Sequence, residues 1–277
     1  MLRTRVIPCL LLQDGMLVRS ENFSFHQIVG NPIRQVQRYN EWAVDELIYL
    51  DISRGDAPFD LRRDDAKIKN IPTFLEVVKA VSKNCFVPLT VGGRITSLGD
   101  IRVRLSLGAD KIVVNSHAIK NQEFISAASK SFGAQCIVVA IDYRKDEDGG
   151  YEAFADNGRT GMSWNPVEWA IEAEKRGAGE IFLNSIDRDG TAEGFDLELT
   201  RKVVHAVSIP VITAGGAGVY SDFAKAILEG EASAVAAANI FHFRENSDMH
   251  IKKAMAKEGV RVRTGRKFRT VNDGFAA

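Results

Sequence analysis

Two glycine pairs at the ends of apolar runs are the residues whose spacing most clearly predicts chemistry. Gly92 and Gly93 end the run VPLTV, and Gly215 and Gly216 end the run IPVITA. A short apolar run bounded by proline and glycine is typical of a buried strand. Glycine at the end of such a strand lets backbone N–H groups approach a phosphate closely. A single pair is as often a simple turn, but the repetition predicts two phosphate sites.

Polar groups in the connections could supply further anion ligands. Asp189, Gly190 and Thr191 follow an apolar run and offer backbone and hydroxyl donors. Long loops are predicted at residues 13–31, 52–70 and 143–165. The first two loops carry the arginines that are candidates for holding substrate anions, which are Arg19, Arg54, Arg62 and Arg63. A solvated charged loop is the alternative interpretation for each of them.

Elements that alternate along the chain must position these groups. Short apolar runs predict strands at residues 6–12, 46–51, 87–91, 111–115, 136–142, 180–185, 211–214 and 234–237. Amphipathic stretches predict helices at residues 32–43, 73–82, 98–107, 122–131, 166–176, 197–206 and 221–228. Strict alternation favours an α/β fold, a parallel sheet closed into a (β/α)8 TIM barrel. A doubly wound open sheet is the competing interpretation.

A single domain over residues 1–277 is predicted, because no low-complexity linker divides the chain. Its two halves resemble each other, since DELIYLD in the first matches GEIFLNS in the second. The sequence therefore predicts two half-barrel repeats, at about residues 1–131 and 132–262, and a C-terminal tail at about 263–277. The two glycine pairs would then end the third and seventh strands, on opposite sides of the barrel mouth.

Composition narrows the classes of partner and cofactor. The 36 basic and 36 acidic residues balance, so net charge predicts neither a nucleic acid nor a membrane surface as partner. The N-terminus does not resemble a signal peptide, and no apolar stretch reaches transmembrane length. Cys9, Cys85 and Cys136 lack metal-ligand spacing and are typical of reduced thiols in a cytoplasmic protein. The five histidines are scattered, so no metal or other cofactor is predicted.

A set of motifs resembles the HisF family, the cyclase subunits of imidazole glycerol phosphate synthase. The motifs are RVIPCL, DGMLVR, TVGGRI, GADKIVVNS, VVAID, EKRGAGEI, NSIDRDGT, AGGAG and FHFR, and the resemblance runs from Arg3 to Val262. It implies a lyase of histidine biosynthesis that works with a HisH-like glutaminase as a heterodimer. The glutaminase would dock at the N-terminal face of the barrel. Its ammonia would cross the barrel interior to a substrate with two phosphates at the C-terminal face.

The resemblance also implies roles for individual residues. The first phosphate site would comprise Gly92, Gly93, Asn115 and Ser116, and the second Asp189, Gly190, Gly215, Gly216, Ala237 and Ala238. Arg19 and Asp51 would contact the substrate, and Asp142 would be one of two catalytic carboxylates. The ammonia gate would be a ring of alternating charges, formed by Arg5, Glu46, Lys111 and Glu180. Each member of this ring falls at the start of a predicted strand.

An apolar residue stands where the family has its second catalytic carboxylate. The first strand of the family ends IPCLD, whereas this chain has IPCLL, so Leu11 takes the place of the general acid/base. Leucine cannot transfer a proton, and a positioned group contributes roughly 10²–10⁴ in rate. Arg19 in place of the family's lysine and Arg94 in place of a glycine also depart from the pattern.

Three functions are compatible with this pattern. The first, which Leu11 favours, is a HisF-like subunit that supports conversion of a sugar N-acetyl group to an acetamidino group in surface polysaccharide biosynthesis. That reaction would use a nucleotide-sugar or other phosphorylated substrate and an ATP-using partner. The second is the histidine-pathway cyclase, with Asp142 acting alone or with Asp14 or Asp51. The third is a non-catalytic scaffold that only conducts ammonia.

Overall fold

The computed structural model describes residues 3–42, 44–55 and 73–263. Its strands are β1 (Arg5–Gln13), β2 (Met16–Glu21), β3 (Phe25–Gly30), β4 (Leu47–Asp51), β5 (Leu89–Gly92), β6 (Lys111–Val114), β7 (Ile137–Lys145), β8 (Tyr151–Ala155), β9 (Thr160–Gly161), β10 (Glu180–Ser185), β11 (Val211–Ala214) and β12 (Ala234–Ala237). Its α-helices are α1 (Pro32–Trp42), α2 (Phe74–Ser82), α3 (Leu98–Ser106), α4 (Ser116–Lys120), α5 (Glu123–Phe132), α6 (Pro166–Lys175), α7 (Leu197–Ala206), α8 (Tyr220–Leu228), α9 (Ile240–Phe243) and α10 (Ser247–Lys257). A 3-10 turn at Ala134–Cys136 leads into β7.

Eight of the described strands form a closed parallel barrel. Around the barrel they follow the order β1, β4, β5, β6, β7, β10, β11 and β12. The ring closes because β12 pairs with β1, from Arg5 opposite Ala234 to Pro8 opposite Ala237. The predicted (β/α)8 barrel is therefore confirmed. The open doubly wound sheet is wrong, because an open sheet would leave strand edges unpaired where β12 meets β1.

Alternating side chains along the strands separate an inner core from an outer one. On β1, Val6, Leu10 and Leu12 face the helices and are fully buried, whereas Ile7 and Cys9 face the barrel interior. The buried inner cluster is apolar and consists of Ile7, Cys9, Ile48, Val113, Val138, Ala140, Phe182, Ile212, Ala214, Ala234 and Ala236. Full burial of a branched aliphatic side chain contributes about 1.5–3 kcal/mol, so both cores stabilise the barrel.

Two of the connections predicted as loops contain hairpins. β1 continues to Gln13 and pairs with antiparallel β2, which pairs with β3. β7 likewise continues to Lys145 and pairs with antiparallel β8, which pairs with β9. The turn between β1 and β2 is Asp14-Gly15, with φ angles of 49° and 83°. Asp-Gly is the preferred pair for two-residue hairpin turns, so this dipeptide is the sequence signal for the first hairpin.

The predicted helices begin and end within one residue of the observed ones in the described part of the chain. The starts of α2, α3, α6 and α7 are fixed by side chains that accept backbone N–H groups, at Thr73, Ser97, Asn165 and Asp196. The short helices α4 and α9 and the longer α10 are not predicted from the sequence. None of the described helices is long and apolar enough to cross a membrane.

Candidate active site

A cavity of about 450 Å³ opens at the C-terminal ends of the barrel strands, where TIM barrels place their chemistry. The predicted site residues that line it are Leu11, Arg19, Asp51, Gly93, Asn115, Ser116, Asp142, Asp189, Gly190, Gly215, Gly216, Ala237 and Ala238. Gly92 is not among the lining residues. A Cβ at Gly92 would lie 2.7 Å from Leu50 and 2.8 Å from Val113, so this glycine lets the neighbouring strands pack.

The first glycine pair brings the backbone against the end of β4. Gly93 has a φ of +95°, and a Cβ there would lie 2.2 Å from the carbonyl oxygen of Asp51. Arg104, a buried arginine that the sequence does not predict as a site residue, donates to the Gly93 carbonyl at 2.9 Å. Arg94 follows with a φ of 55°, which is uncommon for a residue with a side chain. The close Asp51 carbonyl and the hydrogen bond from Arg104 therefore both hold this turn in place.

A second strained turn, after β8, covers this side of the cavity. Asp156 and Asn157 have φ angles of 54° and 57° and line the cavity together with Arg159. The backbone N–H of Asp156 donates to the Oγ of Ser116 at 2.8 Å. Because a hydroxyl can donate and accept at once, the Ser116 hydroxyl can still donate to a further acceptor.

The second glycine pair lies across the barrel, because β5 and β11 are four strands apart in a ring of eight. A Cβ at Gly215 would lie 2.5 Å from the carbonyl oxygen of Ser185, and one at Gly216 would lie 2.1 Å from that of Gly194. Backbone crowding thus requires both glycines. Ala237 and Ala238 complete this side of the cavity. Gly93 and the second pair therefore open into one cavity from opposite sides, as the half-barrel alignment predicts.

Asp142 is a buried carboxylate at the cavity floor, on the inner face of β7. The Nδ2 of Asn115 donates to its Oδ2 at 2.6 Å, and the Nδ2 of Asn184 donates to its Oδ1 at 3.4 Å. Burial raises the pKa of Asp142 to about 7, against the opposing effect of these two hydrogen bonds. A carboxyl group that titrates near neutral pH is suited to general acid/base catalysis.

Asn184 is a site residue that the sequence does not predict. It lies on β10, lines the cavity and stands opposite Asp142 in the strand register. The sequence signal for it is a polar residue near the C-terminal end of an otherwise apolar strand, in FLNS. This position also aligns with that of Asp142, the predicted catalytic residue of the preceding barrel strand.

Leu11 faces the same cavity from the opposite wall. β1 and β7 are four strands apart in the ring, and Leu11 packs against the inner apolar cluster just below the mouth. Its side chain therefore lies on the wall of the cavity across from Asp142.

Other carboxylates of the cavity already have partners. Asp51 accepts from the backbone N–H of Ser53 at 3.0 Å. Asp189 accepts from the Ser20 hydroxyl at 2.6 Å and from the N–H of Phe23 at 3.2 Å, and burial raises its pKa. Asp14 belongs to the hairpin turn and is not among the residues that line the cavity.

The predicted arginines are placed unequally. Arg19 lines the cavity and lies 3.6 Å from the carboxylate of Glu21. Arg54 is described but does not line the cavity. Arg62 and Arg63 lie outside the described residues.

Paired charges occupy the opposite, N-terminal end of the barrel. Glu46 accepts from Arg5 at 2.6 Å and from Lys111 at 3.0 Å. Glu180 also accepts from both cations, at 2.9 Å in the case of Lys111. The Thr90 hydroxyl adds a hydrogen bond to Glu46 at 2.9 Å. The four charges thus form one ring of alternating sign, at the starts of β1, β4, β6 and β10.

Glu46 and Arg5 are each held in the charged form by their partners in this ring. Burial alone would raise the pKa of Glu46, but Arg5 and Lys111 outweigh burial and lower it. Burial would lower the pKa of Arg5, but Glu180 and Glu46 raise it. Buried ion pairs stabilise a fold less well than apolar packing does, which favours a functional reason for keeping them.

Comparisons with known proteins agree with this architecture. Residues 5–247 match the model of a family described as "Histidine biosynthesis protein". The chain is 46% identical over 264 residues to "Imidazole glycerol phosphate synthase subunit HisF" of Hyphomonas neptunium, which covers 95% of this chain and 100% of that protein. It is 42% identical over 263 residues to the protein of the same name from Natranaerobius thermophilus, with the same two coverages.

Proposed function

Because this chain belongs to the histidine biosynthesis protein family, as a HisF-like member, we propose that it is the ammonia-using synthase subunit of a glutamine amidotransferase. One observation carries the proposal. A ring of paired charges and a cavity with a buried carboxylate lie at opposite ends of one apolar barrel interior. An entrance, a conduit and a reaction chamber are thereby arranged along a single axis.

The interior selects neutral ammonia over the ammonium ion. Moving an unpaired charge into an apolar environment is costly, whereas a small neutral molecule avoids most of this penalty. The ring closes the N-terminal end with four charges that satisfy one another. The partner implied by the family resemblance is a HisH-like glutaminase seated on that face.

The first candidate substrate is that of imidazole glycerol phosphate synthase, the enzyme for which both relatives are named. Gly93 and the second glycine pair, on opposite sides of the cavity, suit a substrate with a phosphate at each end. Asp142 would supply the acid/base chemistry, since its pKa of about 7 allows it to give and take protons. The names of the relatives support this cyclase function.

The second candidate is ammonia transfer to a sugar N-acetyl group, which would yield an acetamidino group in surface polysaccharide biosynthesis. Leu11 is the observation that favours it, because no proton can be transferred from the wall opposite Asp142 at that position. An ATP-using partner would activate the acetamido oxygen, so less acid/base work would fall on the barrel. The substrate would be a nucleotide sugar or another phosphorylated sugar.

A scaffold that conducts ammonia without touching the substrate has less support. Asp142 is buried with a donor on each oxygen, and strongly perturbed carboxylates in clefts are more typical of catalytic sites. A pure conduit would not need such a group at its exit.

The deciding experiment is an ammonium-dependent assay of the purified chain with the histidine-pathway substrate. Asp142→Asn serves as the inactive reference, because it removes the titrating group with little change in shape. Turnover comparable to that of an ordinary cyclase would establish the first candidate and exclude the second. Turnover lower by about 10²-fold or more, the smallest effect expected for a missing acid/base, would favour the sugar reaction. Glutamine-dependent turnover with an added glutaminase tests the partnership itself.

A further inference from the structure

Two asparagine side chains hold Asp142 from its two sides. Asn115 follows β6, Asp142 lies on β7 and Asn184 lies on β10, so the three come from adjacent strands of the barrel. Each amide donates to a different carboxylate oxygen, at 2.6 Å from Asn115 and 3.4 Å from Asn184. The strand register places Asn184 directly beside Asp142. The carboxylate therefore has little freedom to rotate.

Donors on both oxygens favour the ionised carboxylate. Hydrogen bonds to a charged group stabilise the charged form, whereas removal from water favours the neutral form. Without the two amides, burial would hold Asp142 protonated over a wider pH range. Asn115 and Asn184, together called the clamp below, thus keep the buried Asp142 carboxylate available as a base.

The second amide atom of Asn115 provides an independent observation. Its Oδ1 is buried and accepts no hydrogen bond from the described residues. Buried acceptors without donors are uncommon, and each calls for an explanation. Because the Nδ2 of Asn115 donates to Asp142, its Oδ1 is left as a buried acceptor in a residue that lines the cavity. Carboxylate and amide oxygen together match a small ligand with several N–H donors.

The clamp sits where the apolar interior ends. Ala140 precedes Asp142 by two positions on β7, and Phe182 precedes Asn184 by two positions on β10. Both Ala140 and Phe182 belong to the inner apolar cluster. Ammonia that leaves this interior at the mouth would meet the acceptors of the clamp on entering the cavity.

We propose that Asn184 is a positioning residue that, with Asn115, holds Asp142 as the base that deprotonates ammonia when its bond to the substrate carbon forms. This inference rests on the proposed function. The nitrogen lone pair forms the C–N bond, and the electron pair of a carbon–oxygen bond moves onto that oxygen. One N–H proton passes to the Asp142 carboxylate and from there to the same oxygen. Atoms and electrons balance without a further reactant.

The groups that face Asp142 are consistent with a base. The Asp189 carboxylate, from the loop after β10, is the charged group that acts on it, and it raises the pKa. The Cys9 thiol, from β1, is kept neutral by burial, since burial raises its pKa. Leu11 faces the site from the far wall of the cavity. Thus the two amides are the groups that oppose protonation.

The test is a titration of the Asp142 carboxyl carbon by 13C NMR in the full-length chain, assigned by the loss of its signal in Asp142→Asn. Asn184→Val removes the amide donor and is expected to raise the Asp142 midpoint by roughly one pH unit. Asn184→Gln keeps an amide and should restore much of the original midpoint. Leu183→Val is the matched control, because Leu183 lies next in β10 but faces the outer core. Its midpoint should equal that of the wild type.

Asn184→Val should also shift the rising limb of the pH profile of turnover, measured at a constant concentration of free ammonia, to higher pH by the same amount as the midpoint. An unchanged midpoint in folded Asn184→Val would overturn the proposal, as would an equal shift in Leu183→Val. If Asn184→Val does not fold, Asn184→Ala, which lacks the donor, is compared with Asn184→Gln, and equal midpoints in these two would also overturn it. The NMR titration needs no substrate. A normal shift without ammonia incorporation would therefore count against the proposed function and not against the clamp.

Discussion

Glu46→Ala is expected to weaken both the fold and the transfer of ammonia. The Glu46 side chain is 3% exposed and accepts hydrogen bonds from Arg5, Lys111 and Thr90. Its removal leaves Glu180 as the acidic member of the ring that faces both cations. The ring would then carry an excess positive charge at the barrel entrance.

The size of the effect follows from the burial of the partners. Breaking a buried ion pair by removing one member costs about 3–5 kcal/mol. The side chains of Arg5 and Lys111 are 27% and 22% exposed, and both would still be paired with Glu180 in the variant. The low end of this range therefore applies, about 3 kcal/mol. For a chain of this size that corresponds to a fall in Tm of roughly 6–12 °C.

The difference in stability between the wild type and Glu46→Ala should also depend on pH. The ring lowers the pKa of Glu46 in the folded state, although burial acts against this. The stabilisation is therefore present above the pKa of glutamate in the unfolded chain, about 4.3, and is lost as the pH falls through the lower folded value. The gap between wild type and variant should shrink only in acid.

The assay compares glutamine-dependent with ammonium-dependent turnover in the complex reconstituted with a glutaminase. A working gate predicts that Glu46→Ala lowers the first rate relative to the second, because ammonia escapes at the entrance. Glu198→Ala is the control, since Glu198 forms an exposed pair with Lys202 on α7, away from the ring. It should change neither rate nor Tm measurably.

Two results would refute this account of the ring. Unchanged Tm and an unchanged rate ratio would mean that Glu46 is neither a structural nor a gating group. A lower Tm with an unchanged ratio would reduce the ring to ion pairs that close the bottom of the barrel.

Four further outcomes are expected. Gly93→Ala should destabilise the chain by about 2 kcal/mol or more, because the new Cβ would lie 2.2 Å from a backbone oxygen, and calorimetry should show weaker phosphate binding. The control is Gly149→Ala, at a φ of +85° with open space around it, which should cost only about 1 kcal/mol of conformational strain. Crystals grown in phosphate should show an anion at each glycine pair, and cavities blocked by side chains there would contradict both sites. Leu11→Asp should raise ammonium-dependent cyclase turnover if a missing acid/base limits it, and wild-type turnover already equal to that of an ordinary cyclase would remove the premise. At a constant concentration of free ammonia, turnover should fall as the pH drops below about 7, where Asp142 gains its proton, and a flat profile between pH 5 and 8 would exclude it as the base.

The barrel could be predicted because its information is local. Alternating apolar runs and amphipathic stretches fix the type of each element, and paired glycines mark where strands three and seven end. The hairpins begin as extensions of two barrel strands, so the sequence does not mark where a barrel strand ends and its hairpin begins. Only the Asp14-Gly15 dipeptide signals the first of them.

The candidate site could be predicted only where a residue type implies its own chemistry or where the family resemblance assigns a role. Asn184 and Arg104 escape prediction because their importance lies in what they touch. Asn184 matters through its place beside Asp142 in the register, and Arg104 through its contact with the Gly93 carbonyl. Neither contact is encoded by spacing along the chain, since both depend on how adjacent elements align in three dimensions.

The two extended strands have a consequence for how this protein can be modified. Leu11 pairs with Leu50 in the barrel and with Val18 in the first hairpin. Asp142 likewise pairs with Asn184 in the barrel and with Phe154 in the second hairpin. Each position is a junction between the barrel and a hairpin of the same sheet, and no glycine interrupts either strand. The hairpins are thus not interchangeable modules: a transplant between relatives would carry the orientation of the reacting position with it, so a designer must exchange strand and hairpin together.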